Sequence, residues 1–167
     1  KHRDESGKWV NIELTNGGSF SSDAWIISSM GITTEAIRNG TYMAPISLKE
    51  SVALCLYDLA MGYKEKYGYD DKVFLMCDKV LEHYPKCVMA SMLKADCILK
   101  KSKELMKNDN VFFDELDLLK EEYQETVEEI KTFGHREMTA EEYEKWSNDV
   151  ENEMKKQEAK NNKSERN

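Results

Sequence analysis

A chain of 167 residues, 40% hydrophobic and 34% charged, has the length of one domain with a core of its own. Its 24 Lys and Arg against 32 Asp and Glu leave a net charge of −8, which repels phosphate backbones and argues against a nucleic-acid partner. No apolar run approaches the roughly 18 to 20 residues of a membrane-spanning helix, since even residues 23–32 are broken by serines and a glycine.

The chain opens at Lys1 with no initiator Met and no signal-peptide pattern, as expected of a piece of a longer polypeptide, and its compartment stays open. Cys55, Cys77, Cys87 and Cys97 fall in or beside apolar helical patterns without a CxxC pair. Reduced, buried thiols acting as small hydrophobes are expected, rather than disulfides or a metal site. No metal, nucleotide or nucleophile-elbow motif is present, so no cofactor is expected. Acidity is a C-terminal property: residues 1–100 carry 12 basic and 13 acidic side chains, residues 101–167 carry 12 and 19.

Residues 1–22 read as a β segment. Lys8 to Leu14 alternates, with Val10, Ile12 and Leu14 on one face of a strand. Ser6-Gly7 makes a hairpin turn before it and Asn16-Gly17-Gly18 ends it. The strand's partners are expected upstream of Lys1, in another chain, or nowhere in this one.

Residues 23–46 read as a linker with short helices, one of them capped by Thr33 or Thr34 and stopped at Asn39-Gly40. Residues 47–157 read as a helical domain. Ser47 and Glu50 form a capping box that starts a long helix, with Leu48, Val52, Leu56, Leu59, Ala60 and Tyr63 as its apolar stripe and Gly68 as its break. Asp70 or Asp71 caps the next helix, which carries Val73, Phe74, Cys77, Val80, Leu81 and Tyr84 and halts at Pro85; a third runs from there to Met106. After a loop at Asn108-Asp109-Asn110, the spacing of Leu116, Leu119, Tyr123, Val127 and Ile130 predicts a helix over 113–133, closed by Gly134. Thr139 and Glu142 form a second capping box for a helix over 140–157 with a narrow seam of Tyr143, Trp146, Val150 and Met154. Residues 158–167 read as a polar tail that frays. The fold class is mainly α with a short β element.

Leu54 to Cys87 spans 34 residues and covers a helix, a turn at Gly68, a second helix and Pro85. With small or apolar residues at Ala60, Val73, Cys77 and Val80, this stretch resembles a tetratricopeptide repeat, although Gly62 stands one position off the small residue of that pattern. The resemblance implies antiparallel helical hairpins whose first helices line a concave surface for a protein or peptide partner. On a 34-residue step that surface carries Asp58, Met89, Met92 and Asp96, with Met89 and Met92 equally readable as core. A plain helical bundle is the alternative.

Residues 7–18, with Trp9, Glu13 and the Asn16-Gly17-Gly18 turn, resemble the strand that closes the active site in transglutaminase-like proteins of bacteria. The resemblance implies that Glu13 holds the third, acidic place of a Cys-His-acid triad, in which family proteins carry Asp. The Cys and His would lie upstream of Lys1, and His2 stands near a hairpin turn rather than in the place of that His. Three functions follow: a non-catalytic interaction module, the C-terminal part of such a hydrolase or transamidase, or a helical bundle that self-associates through Tyr143, Trp146 and Val150. His83 and Cys87 are separated by Pro85, which breaks the helix that would align them as a dyad, so His83 reads as a turn histidine, and His135 as a helix-end residue in water.

Overall fold

A computed structural model describes residues 2–3, 5–13, 19–107, 113–136 and 138–164, and they are mainly helical with a short N-terminal sheet. The chain divides into two units, one of Lys1–Thr33 with Arg136–Asn167, the other of Thr34–His135. Among the described residues no helix is long and apolar enough to cross a membrane.

In the first unit, β1 (His2–Arg3), β2 (Trp9–Glu13) and β3 (Ser19–Ser21) form an antiparallel sheet in that order. His2 faces Val10 and Arg3 faces Trp9 on one side of β2; Asn11, Ile12 and Glu13 face Ser21, Phe20 and Ser19 on the other. The partners of the strand therefore lie within this chain, contrary to expectation. Both are too short to show alternation in sequence, whereas Gly7, at φ +80°, supplies the left-handed residue that a tight reversal needs. The expected turn at Asn16–Gly18 lies outside the described residues.

Ser22 caps α1 (Asp23–Ser29) by accepting from the Trp25 amide at 3.1 Å. The buried Asn11 side chain donates to the Ser21 carbonyl at 3.0 Å and to Asp23 at 2.6 Å, tying β2 to the start of that helix. In the same unit, α7 (Ala140–Ser164) runs past the expected stop at 157, because no Gly or Pro interrupts it and Glu, Ala and Lys are good helix formers. Residues 165–167 lie outside the described residues.

The second unit begins earlier than the expected helical domain. It takes in α2 (Thr34–Arg38), followed by α3 (Leu48–Tyr67), α4 (Asp71–His83), α5 (Val88–Leu105) and α6 (Phe113–Thr132). The capping box closes as read: the Glu50 amide donates to Ser47 Oγ at 3.2 Å and the Ser47 amide to Glu50 Oε2 at 2.6 Å. Gly68 ends α3 at φ +84°, and Asp70 caps α4 by accepting from the Lys72 and Val73 amides. The loop at Asn108–Asn110 lies outside the described residues.

Two buried clusters set the packing. Ala60 of α3 meets Val73 and Cys77 of α4 and Leu93 and Cys97 of α5, while Ala53 meets Val80, Cys87 and Ala90. Ascending α3 thus descends α4 and ascends α5 again, so neighbours run antiparallel and α3 and α5 run parallel. Lys94 to Glu122 at 3.0 Å and Lys101 to Glu115 at 3.7 Å set α6 antiparallel to α5. Buried positions seven residues apart recur on each helix: Ala53 and Ala60, Val73 and Val80, Ala90 and Cys97, Leu119 and Thr126. From α3 to α5 the step is 37 residues.

The segment read as a linker closes the far end of α6. Asn39 Nδ2 donates to the Thr132 carbonyl at 2.8 Å and Thr41 Oγ1 to the Phe133 carbonyl at 2.9 Å, satisfying acceptors that a helix leaves open at its C-terminus. His135, expected in water, is half-buried with Nδ1 3.5 Å from the Tyr42 hydroxyl.

Candidate functional site

The side of α3 that faces α4 centres on Ala53 and Ala60, whose small side chains let the two helices approach closely, with Leu54, Leu56, Tyr57, Met61 and Tyr63 half-buried around them. A further set of large apolar residues is left on the other side. Leu48, Val52 and Leu59 are 82%, 62% and 61% exposed, and Cys55 between them is exposed as well. This corrects the expected stripe: of its six residues only Ala60 is buried, Leu56 and Tyr63 are half-buried, and the other three belong to a second apolar face. The signal was present in the 4-3-4 spacing of Leu48, Val52, Cys55 and Leu59, a seam of the helix-pairing kind.

On the 37-residue step, Val52, Cys55, Leu59 and Gly62 of α3 correspond to Met89, Met92, Asp96 and Leu99 of α5. Met89 is 46% exposed, Met92 and Leu99 are half-buried, and Asp96 is exposed. Met89 thus lies on the surface and Met92 at its boundary with the core. The open faces of two parallel helices therefore carry apolar side chains on corresponding turns. Asp96 is the polar exception, accepting from the Tyr69 hydroxyl at 3.5 Å; burial and the Asp96 charge both raise the Tyr69 pKa. Asp58 is exposed on α3, one position short of Leu59, and corresponds to the buried Ala95 rather than to Met92.

The remaining candidates are placed as follows. Glu13 ends β2 with its backbone paired to Ser19, and its side chain is not among those described. Burial pushes the Cys77 thiol up to about 12 and Cys97 to about 11, and raises Cys87, which takes these three out of the thiolate state a nucleophile or metal ligand needs. Among the described residues no group of three or more His, Cys, Asp or Glu could hold a metal. Trp146 of the expected C-terminal seam is engaged inside its own unit: its indole donates to the Ser28 carbonyl at 2.8 Å and its ring lies 5.3 Å from Tyr143. The side chains of Val150 and Met154 are not among those described. His83 closes α4, its Nδ1 buried without a hydrogen-bond partner.

A recess of about 530 Å³ opens between α4, α5 and α6, floored by Phe74, Ile98 and Leu119 and edged by Lys101 and Glu122. Charges of both signs line it, Asp70, Asp71, Glu104 and Glu122 with Lys100 and Lys101, of which Lys100 pairs with Glu104, Lys101 with Glu115 and Glu122 with Lys94. The apolar face of α3 and α5 is the stronger site. No protein-family model, curated protein or solved structure matches the chain.

Proposed function

We propose that the unit Thr34–His135 is a protein-interaction module of the tetratricopeptide kind, without catalysis of its own, that takes up an apolar protein or peptide segment on the open faces of α3 and α5. The observation that carries this reading is the row Leu48, Val52, Cys55 and Leu59, exposed along one helix and continued in kind by Met89, Met92 and Leu99. Isolated exposed apolar residues are ordinary on a protein surface; four at helix-pairing spacing form a patch that gains from being covered. Covering a large side chain of this kind contributes roughly 1.5 to 3 kcal/mol, and methionines adapt to irregular partners. The order α3, α4, α5, α6, with α5 packing back on α4 and small residues at Ala53, Ala60 and Ala90, supports the repeat resemblance.

Selection from a displayed random-peptide library tests it. Sequences with two or more apolar anchors should enrich on the wild-type chain and lose enrichment on a Val52→Asp/Leu59→Asp chain of unchanged helicity. Equal enrichment on both chains rejects the reading.

A second reading concerns the first unit. Antiparallel neighbours on both sides of β2 support the likeness to a transglutaminase-like closing strand, with Glu13 as the acid and a nucleophile from outside this chain. It expects no thiol-dependent amidase or transamidase turnover from the 167 residues alone; turnover lost on Cys55→Ser rejects it.

A further inference from the structure

We infer that the occupant of the α3 face is a second copy of this chain, its α3 packed antiparallel against the first about a two-fold axis. This rests on reading that face as an interaction surface and commits it to one partner. The spacing 4-3-4 is the same in either direction. Reversing one helix therefore sets Leu48 against Leu59 of the second copy and Val52 against Cys55 of the second copy, an apolar layer at every step, as an isologous interface demands. Gly62, one turn beyond Leu59, has no atom within 4 Å of where a Cβ would stand, so nothing hinders close approach there.

Charge points the same way. The chain carries −8, yet α3 balances Lys49, Lys64 and Lys66 against Glu50, Asp58 and Glu65. Phe113 and Leu118, exposed on α6, stand among Asp114, Asp117, Glu121, Glu125 and Glu128, so two copies meeting there would repel, while Leu75 on α4 and Tyr143 on α7 form no apolar row among the described residues. Like-charge repulsion leaves α3 as the neutral place to meet. Area sets the strength. Four side chains per copy, widened by the partly exposed Ile46, give a patch at the small end of specific interfaces, below about 1,200 Å² in total, which corresponds to a reversible dimer with a dissociation constant of roughly micromolar order.

Sedimentation equilibrium of the full chain over roughly 1 to 200 µM spans such a constant. A monomer–dimer equilibrium without larger species is expected. Val52→Glu and Leu59→Glu should each weaken it at least about tenfold. Leu118→Glu, at an equally exposed leucine on α6, should leave it unchanged. Orientation is read separately by mixing Cys55→Ser/Leu48→Cys chains with Cys55→Ser/Leu59→Cys chains under mild oxidation. The antiparallel pair gives disulfide-linked heterodimers in excess over either homodimer, and this readout survives if a glutamate variant folds poorly. Linkage of like with like rejects the two-fold arrangement, and a dimer lost on Leu118→Glu but kept on Leu59→Glu rejects the face. A chain that stays monomeric throughout yet selects apolar peptides through Val52 and Leu59 overturns this inference alone; a monomer that selects none overturns the interaction reading with it.

Discussion

Gly134 lies so close to Ala36 that a Cβ added at the glycine would stand 2.6 Å from the Ala36 amide nitrogen and 2.9 Å from its Cα. The obstacle is backbone, which cannot swing aside, and Gly134 also holds φ at +75°. Helix α6 therefore ends where it does because only glycine lets the α2 segment come in under its last carbonyls.

Gly134→Ala should cost about 2 to 5 kcal/mol, the sum of a left-handed non-glycine residue and an overpacked contact. Gly68→Ala, also left-handed at φ +84° but with open space around it, should cost only about 1 to 2 kcal/mol. Urea unfolding followed by circular dichroism separates the two; equal losses would show that the approach to Ala36 is not what Gly134 is for.

Lys94 joins three helices. Its ammonium reaches Asp78 of α4 at 2.8 Å and Glu122 of α6 at 3.0 Å, and lies 4.8 Å from the centre of the Phe74 ring. Burial works to lower its pKa, but the hydrogen bonds to the two carboxylates outweigh it and hold the group above the ordinary lysine value. A raised value means that the stabilisation is complete below the unfolded-state pKa near 10.4 and is lost as pH climbs through the folded-state value. Lys94→Met should cost about 1 to 3 kcal/mol at pH 8, and the gap to wild type should shrink above about pH 10.5. A gap independent of pH up to unfolding would mean that the stem of Lys94, not its charge, matters.

How much of this was legible in sequence depended on range. Local signals held: the Ser47 and Glu50 box, the Asp70 cap, the break at Gly68 and the stop before Pro85 each reside in a few neighbouring residues whose hydrogen bonds do not await the fold. The faces of α3 did not hold, because Leu48 and Ala60 both fit a helical stripe and only the presence of α4 decides which side needs small residues. The docking of Asn39 and Thr41 on α6 joins residues more than ninety positions apart and leaves no periodic trace, so a structural segment read as a linker. His135 was misplaced for the same reason, since Tyr42 comes to it from the other end of the unit.

The four thiols divide sharply. Cys55 is exposed, whereas Cys77, Cys87 and Cys97 are buried with their pKa values raised by burial, the first to about 12 and the last to about 11. A disulfide-exchange reagent at pH 8 should titrate one thiol per native chain and four in denaturant, and Cys55→Ser should remove the native reaction. Between the ordinary thiol value near 8.5 and about 12 the unfolded chain binds fewer protons than the folded one, so stability should fall as pH rises there. Cys77→Ala should lower stability at pH 7 but flatten that fall. Rapid native labelling of two or more thiols would mean that the α4–α5 core opens on the reagent's timescale.

Adjacent positions on α3 should respond to charge in opposite ways. Leu59 points away from the unit, and at a chain concentration well below that at which copies pair Leu59→Glu should change unfolding free energy by no more than about 0.5 kcal/mol. Ala60, fully buried between Val73, Cys77, Leu93 and Cys97, has neither room nor a hydrogen-bond partner for a carboxylate, and Ala60→Glu should cost more than about 4 kcal/mol or abolish folding. Ala53→Glu should behave like Ala60→Glu, and Val52→Glu like Leu59→Glu, because the pairs sit one heptad apart on the same two faces. Far-ultraviolet circular dichroism and thermal melts of the four variants check the pattern. Loss of stability in Leu59→Glu comparable to that in Ala60→Glu would place both sides of α3 in one core and remove the open face on which the binding argument stands.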